Sequence, residues 1–160
     1  MNKLTEAQKG YIAGILDGEG SLMLHISKTG MIHSRINIGQ KDKRLIDWLM
    51  ETTGVGTTGK PFDLSRKRNS NVHGTGLFHK WHVNRSWEIV PLLRAVLPYL
   101  VLKKRKAMVL ILVAKTVDPN WQRRPVGHKS PAIKVLQFRN KCLRTFRKIE
   151  EDSPEYIVGS

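Results

Sequence analysis

The hydrophobic period changes several times along the chain. Thr5-Glu6-Ala7-Gln8 has the form of a capping box and introduces an apolar stretch, so a first helix is predicted over about Thr5 to Leu16. Ala7, Gly10, Gly14 and Gly18 recur there at spacings of three, four and four. Each helical glycine costs roughly 1 kcal/mol relative to alanine. A stripe of small residues at helical spacing therefore argues for close approach of another helix, against the plainer reading that these glycines mark turns. From Ser21 the period falls to two. Leu22, Leu24 and Ile26 alternate with Met23, His25 and Ser27. After Lys28-Thr29-Gly30, Ile32, Ser34, Ile36 and Ile38 alternate with His33, Arg35 and Asn37, which predicts a hairpin.

A second helix is expected over about Asp42 to Thr53, with Leu45, Ile46, Leu49 and Met50 as its apolar side and Gly54 as its end. The glycine-rich, basic stretch from Gly56 to Gly76 reads as a long hairpin or loop leading into a strand at Leu77 to Asn84. There Phe78, Lys80, His82 and Asn84 alternate with Leu77, His79, Trp81 and Val83. Helices follow at about Trp87 to Leu97, Lys103 to Val117 and Pro131 to Glu150, the last with Val135, Phe138, Cys142, Phe146 and Ile149 at helical spacing. The order predicts an α+β domain in which four strands form one antiparallel sheet, with helices on its other face and further helices at the C-terminus.

A length of 160 residues with 40% hydrophobic positions is enough for one domain with a real core. A single cysteine, Cys142, excludes an internal disulfide framework and fits a reducing compartment. The longest apolar run, Ala107 to Ala114, is too short to cross a bilayer, and the N-terminus carries no apolar or Arg-rich leader. These features predict a soluble intracellular protein without a membrane partner, in a prokaryotic cytoplasm or in an organelle such as a chloroplast or mitochondrion.

Charge changes the picture most. Lys and Arg outnumber Asp and Glu 28 to 13, for a net charge of +15. Carboxylates are absent from Gly20 to Lys41, from Ile89 to Val117 and from Pro119 to Ile149, while basic residues recur throughout. Such an excess repels itself without a counter-charge, so a polyanion is the expected partner, with a merely solvated basic surface as the alternative.

Gly54 to Lys60 matches the phosphate-loop pattern G-x-x-x-x-G-K, but Pro61 stands where a metal-binding hydroxyl is needed and a helix precedes it where a strand should. His79 and His82 fall on opposite faces of a strand, so they are poorly placed to share a metal. The informative segment is Ile12-Ala13-Gly14-Ile15-Leu16-Asp17-Gly18-Glu19-Gly20, in which a helix ends in Asp-Gly-Glu-Gly before a strand. The negative end of a helix dipole, its exposed carbonyls and the Glu19 carboxylate suit a hard divalent cation, although such a tetrapeptide is by itself an ordinary turn.

These nine residues, with Tyr11 before them and Ser21-Leu22 after them, resemble the signature of the LAGLIDADG homing endonucleases, in the single-motif homodimeric class. The resemblance covers about residues 5–117 of a single domain and leaves 118–160 as a helical extension. It implies that the motif helices of two subunits meet through Ala7, Gly10, Gly14 and Asp17. It further implies that Glu19 and the Gly18 carbonyl bind Mg2+ or Mn2+, and that Gln40, Arg44 and Lys103 join Glu19 in catalysis. Ile15-Leu16 reverses the usual order, Glu19 replaces the commoner Asp, and the Gly56 to Gly76 region is longer than a compact hairpin.

The activity so implied is site-specific, divalent-metal-dependent cleavage of double-stranded DNA. A homodimer would read a long pseudo-palindromic target in the major groove and hydrolyse one phosphodiester per strand, leaving 3′ overhangs. Strand parity nominates Met23, His25, Ser27, His33, Arg35, Asn37, Lys80, His82 and Asn84 for the DNA face, with Arg66, Arg68 and Lys104 as further contacts. The alternatives are an intron RNA-splicing maturase, with intron RNA as partner, or a non-cleaving DNA-binding relative. A basic ribosomal-type structural protein is a third, disfavoured by the small-residue helix that ends in paired acids.

Overall fold

The computed structural model describes residues 1–27, 30–63, 76–117 and 132–152. Helix α1 (Glu6–Gly18) begins at the predicted capping box: the Thr5 hydroxyl accepts the Gln8 N–H, and the Gln8 side chain accepts the Thr5 N–H. Strands β1 (Gly20–Ile26) and β2 (Ile32–Gln40) pair antiparallel, with Gly20 opposite Ile38 and Ile26 opposite Ile32. Helix α2 (Lys43–Thr53) follows, with Asp42 as N-cap. Short strands β3 (Thr57–Thr58) and β4 (Phe62–Asp63) lead to β5 (Leu77–Val83), then α3 (Ser86–Val96), a 3-10 turn (Leu97–Tyr99), α4 (Lys104–Lys115) and α5 (Ile133–Glu151).

The sheet order is β1-β2-β5-β3, and β4 also pairs with β5. Five strands thus occupy four lanes, because β3 and β4 share the outer edge of β5. Thr58 faces Trp81 and Phe62 faces Phe78, so three residues, Gly59 to Pro61, oppose the two residues His79 and Lys80. That extra residue is a bulge, and Pro61 is tolerated in it because an edge position needs no N–H. The expected four-strand sheet is therefore present with its fourth strand broken.

One sheet face is apolar. Leu22, Ile36, Ile38, Trp81 and Val83 are buried against Ile12 and Leu16 of α1, Ile89, Leu92, Leu93 and Val96 of α3, and Leu110 and Val113 of α4. The hydroxyl of buried Ser34 donates to the Leu110 carbonyl at 2.8 Å, and the Trp81 indole donates to the Val55 carbonyl at 2.9 Å, so both of these polar groups are satisfied.

Helix α5 departs from the predicted pattern. Phe138 is 40% exposed, whereas Arg139 is 3% exposed. Arg139 lies against the C-terminal end of α4, donating to the Thr116 hydroxyl at 2.7 Å and the Thr116 carbonyl at 2.9 Å. Lys106, near the start of α4, meets Glu150 at 3.8 Å, so the two helices run antiparallel. The negative end of α4 draws the guanidinium inward, which rotates Phe138 out. No helix among the described residues is long and apolar enough to cross a membrane.

Candidate functional site

Helix α1 runs two residues further than predicted, taking in Asp17 and Gly18, because the Glu19 N–H still reaches the Ile15 carbonyl at 2.8 Å. Gly20 then turns the chain into β1 so tightly that a Cβ there would lie 2.7 Å from the Leu16 Cα and carbonyl oxygen. Glu19 is thereby held at the junction, exposed to solvent. The Asp17 carboxylate accepts the N–H groups of Val101, Leu102 and Lys103 at 2.7, 3.2 and 2.9 Å, tethering the segment before α4 to the end of α1. The Lys103 ammonium donates to the carbonyls of Leu16 at 3.1 Å and Asp17 at 2.8 Å. A cation on these orphan carbonyls meets the negative end of the helix dipole.

Asp17, Gly18, Glu19 and Lys103 thus lie at one point. Gln40 ends β2 two residues beyond Ile38, the partner of Gly20, and so lies beside the same turn. Arg44 is on the first turn of α2 with its side chain 91% exposed, where it meets Asp42 at 2.6 Å. Hydrogen bonds from Arg44 hold the Asp42 carboxyl down at about 2, well below its ordinary value, and the Arg44 pKa is raised in turn. Among the described residues no three His, Cys, Asp or Glu side chains converge. With the Leu16 and Asp17 carbonyls taken by Lys103, one chain offers the Glu19 carboxylate and the Gly18 carbonyl, oxygen donors that suit a hard cation completing its shell with phosphate oxygens and water.

The second feature is the open sheet face. Register pairs Met23 with Arg35, His25 with His33, Asn37 with His82 and Gly39 with Lys80, all on the side away from the core. Ser27 follows β1 and its hydroxyl accepts the Met31 N–H at 3.1 Å, whereas Asn84 follows β5. Lys104 is exposed at the start of α4. Arg66 and Arg68 lie outside the described residues. Burial pushes the pKa of His82 down, with help from Arg35 and Lys80; His33 is lowered by burial and then by Arg139, His25 and Arg35.

Sequence reading missed the aromatic part of this face. The Phe78 ring lies over Gly39, where a Cβ would come within 2.4 Å of it, and Phe62 packs on Phe78 at 5.2 Å. Lys80 extends over the Phe62 ring at 4.7 Å. Alternation placed Phe78 on this side, but nothing in the sequence joined Phe62 to it across the bulge.

On α1, Ala7 and Gly14 are exposed and Gly10 is half-buried beside Tyr99, 4.0 Å from where its Cβ would be. A Cβ at Gly14 or Gly18 would meet nothing within 4 Å. Tyr11, Val101 and Leu102 extend the exposed apolar surface around them, at 56%, 82% and 68% exposure.

This α+β fold, with its antiparallel sheet and flanking helices, matches that of LAGLIDADG homing endonucleases. The archaeal intron-encoded homing endonuclease I-Vdi141I, solved with DNA, superposes with a TM-score of 0.64 at 18% identity, over 92% of this chain and 87% of that one. The homing endonuclease I-CvuI in complex with its target gives 0.55 at 17% identity, over 88% and 95% of the two chains. The LAGLIDADG homing endonuclease I-SmaMI bound to cleaved DNA gives 0.52 at 17% identity, over 99% of this chain but 47% of that one. These are likenesses of fold. No family sequence model matches the chain, and no curated protein sequence matches it.

Proposed function

We propose that the protein is a divalent-metal-dependent, site-specific endonuclease of double-stranded DNA that works as a homodimer. The observation that supports the reading is the docking of Lys103 on the Leu16 and Asp17 carbonyls, beside Gly18 and Glu19 in sequence, at one end of a basic sheet face. The three neighbours described above are homing endonucleases solved with DNA.

Glu19 and the Gly18 carbonyl would hold Mg2+ or Mn2+, which supplies charge neutralisation at a scissile phosphate and acidifies bound water. Lys103, already fixed by two helix-end carbonyls, presents a preorganised positive charge to the phosphate as negative charge grows on it. Arg44 adds a second cation once it exchanges Asp42 for phosphate, and Gln40 orients water at the same turn. Asp17 keeps Lys103 in place by holding the backbone before it.

One chain carries one Glu19, whereas two strands present two scissile phosphates. Two copies related by a twofold axis resolve the mismatch, with α1 helices meeting along Ala7, Gly10 and Gly14 beside Asp17. The single unit also corresponds to about half of the I-SmaMI chain. The paired sheets would then read a long pseudo-palindromic target through the major groove, with lysines and arginines on phosphates. One bond per strand, cut with a stagger across the minor groove, would leave short 3′ overhangs.

The deciding experiment incubates the protein with Mg2+ and a library of long duplexes, then repeats it with Glu19→Gln. Loss of an outer-shell partner alone costs a metal site about 10–100-fold. Removing a ligand is therefore expected to lower cleavage by more than about 100-fold while DNA binding persists. Undiminished cleavage by Glu19→Gln removes this site from the chemistry, and tight RNA binding without any DNA cut assigns the chain to a maturase instead.

A further inference from the structure

At the end of the sheet remote from Glu19 there is a half-open cavity of about 230 Å³. It forms where β5 leaves the sheet: Val83, its last residue, faces Ile36, so β2 continues past it through His33 to Arg35 without that neighbour. His25, His33, Arg35, Arg85 and Trp87 line it, together with buried Ser34. His25, His33 and Arg35 belong to the open sheet face, so the cavity communicates with that face.

Its chemistry is one-sided: among the described residues, four basic side chains line it and no carboxylate does. Glu88, three residues beyond Arg85, is turned to structural use: it holds Arg85 at 3.1 Å and accepts the Gly56 N–H at 3.2 Å. Arg85 also lies over the Trp87 ring at 5.8 Å, which fixes the guanidinium at the rim. Helix α3 begins here without a side-chain cap, adding the positive end of its dipole to a site already defined by the cavity and its cations.

We infer that this cavity seats one backbone phosphate of the bound DNA and that Arg35 and Arg85 clamp it, fixing the register of the sheet on its target. The inference rests on the DNA-binding function proposed above and assigns Arg35 to positioning rather than base reading. Arg35 is five residues from Gln40, ~17 Å of strand at about 3.3 Å per residue. Phosphates of one DNA strand recur every ~3.4 Å along the helix axis, and a strand following the groove runs oblique to that axis, so this length spans at most about five nucleotides. The seated phosphate therefore lies within about five nucleotides of the one beside Gln40.

Two measurements test this. In the first, inorganic phosphate is titrated into the free full-length chain while the His25 and His33 ring resonances are followed. A saturable shift, with the His33 pKa moving up and the response absent in an Arg35→Gln/Arg85→Gln variant, is expected. In the second, single methylphosphonate linkages are scanned through the flank of a cleavable duplex. One neutral position within the window is expected to weaken binding about tenfold, as the loss of a hydrogen bond to a charged group does, and to leave Arg35→Gln indifferent. Flat ring resonances in phosphate, or a scan in which no position is sensitive in the wild type, overturns the clamp; the wild-type scan decides even if the double variant does not fold. A protein that cuts DNA yet shows no sensitive position keeps the function and loses this site. One that binds no DNA loses the function, and the phosphate titration still reports on the cavity.

Discussion

Asp17 sits in the most recognisable stretch of the chain, yet its carboxylate is used within that same chain. It accepts three backbone N–H groups from Val101, Leu102 and Lys103, none of them within 80 positions in sequence. Hydrogen bonds to a charged acceptor contribute about 1.5–3 kcal/mol. Asp17→Ala is therefore expected to lower the stability of the chain by about 2 kcal/mol in urea unfolding, and to lower cleavage further because Lys103 loses its tether. A stability change below about 0.5 kcal/mol would show that the segment is held by other means. The spacing of Asp17 and Glu19 was legible as a paired-acid helix end. That the first acid turns to a loop and the second to solvent was not, because the difference lies in what packs beside them.

At the scale of elements, the junction of α1 with β1 carries the site. A methyl group at position 20 would lie 2.7 Å from backbone atoms of Leu16, which no rotamer change relieves. Overpacking of this kind costs about 1–3 kcal/mol. Gly20→Ala is expected to lose that much in thermal unfolding and to reduce cleavage more than binding, since the neighbouring Glu19 is displaced while the sheet face is spared. Equal losses in binding and cleavage would show that the junction supports the whole domain rather than the site. Periodicity located the helices among described residues to within one or two positions, because each has a single buried face and recognisable ends. It failed where a neighbour outweighed the pattern. Phe138 yields its place to Arg139 at the end of α4, and the fourth lane of the sheet is split because the β3–β4 segment carries one residue more than β5 can match.

For the whole molecule, the exposed glycine face of α1 separates folding from assembly. Gly14 has open space around its Cβ position in one chain, and replacing a helical glycine stabilises an isolated helix by about 1 kcal/mol. Gly14→Leu is thus expected to leave the monomer at least as stable while weakening the proposed dimer by about tenfold or more, read by sedimentation equilibrium. An unchanged association constant would place the interface elsewhere. The acid-free tract from Gly20 to Lys41 likewise becomes meaningful only in three dimensions, where its His25, His33 and Arg35 gather with Arg85 around one cavity.

The sequence alone determined the order of elements, the polar side of each strand and the small-residue helix that ends in acids. These are local matters, settled by period, capping and charge over a few residues. Tertiary structure decided which carbonyls Lys103 reaches, where Asp17 points, how Arg139 is buried and that a basic cavity opens beyond the end of β5. Each of these depends on pairing between residues distant along the chain, and pairing of that kind leaves no trace in periodicity.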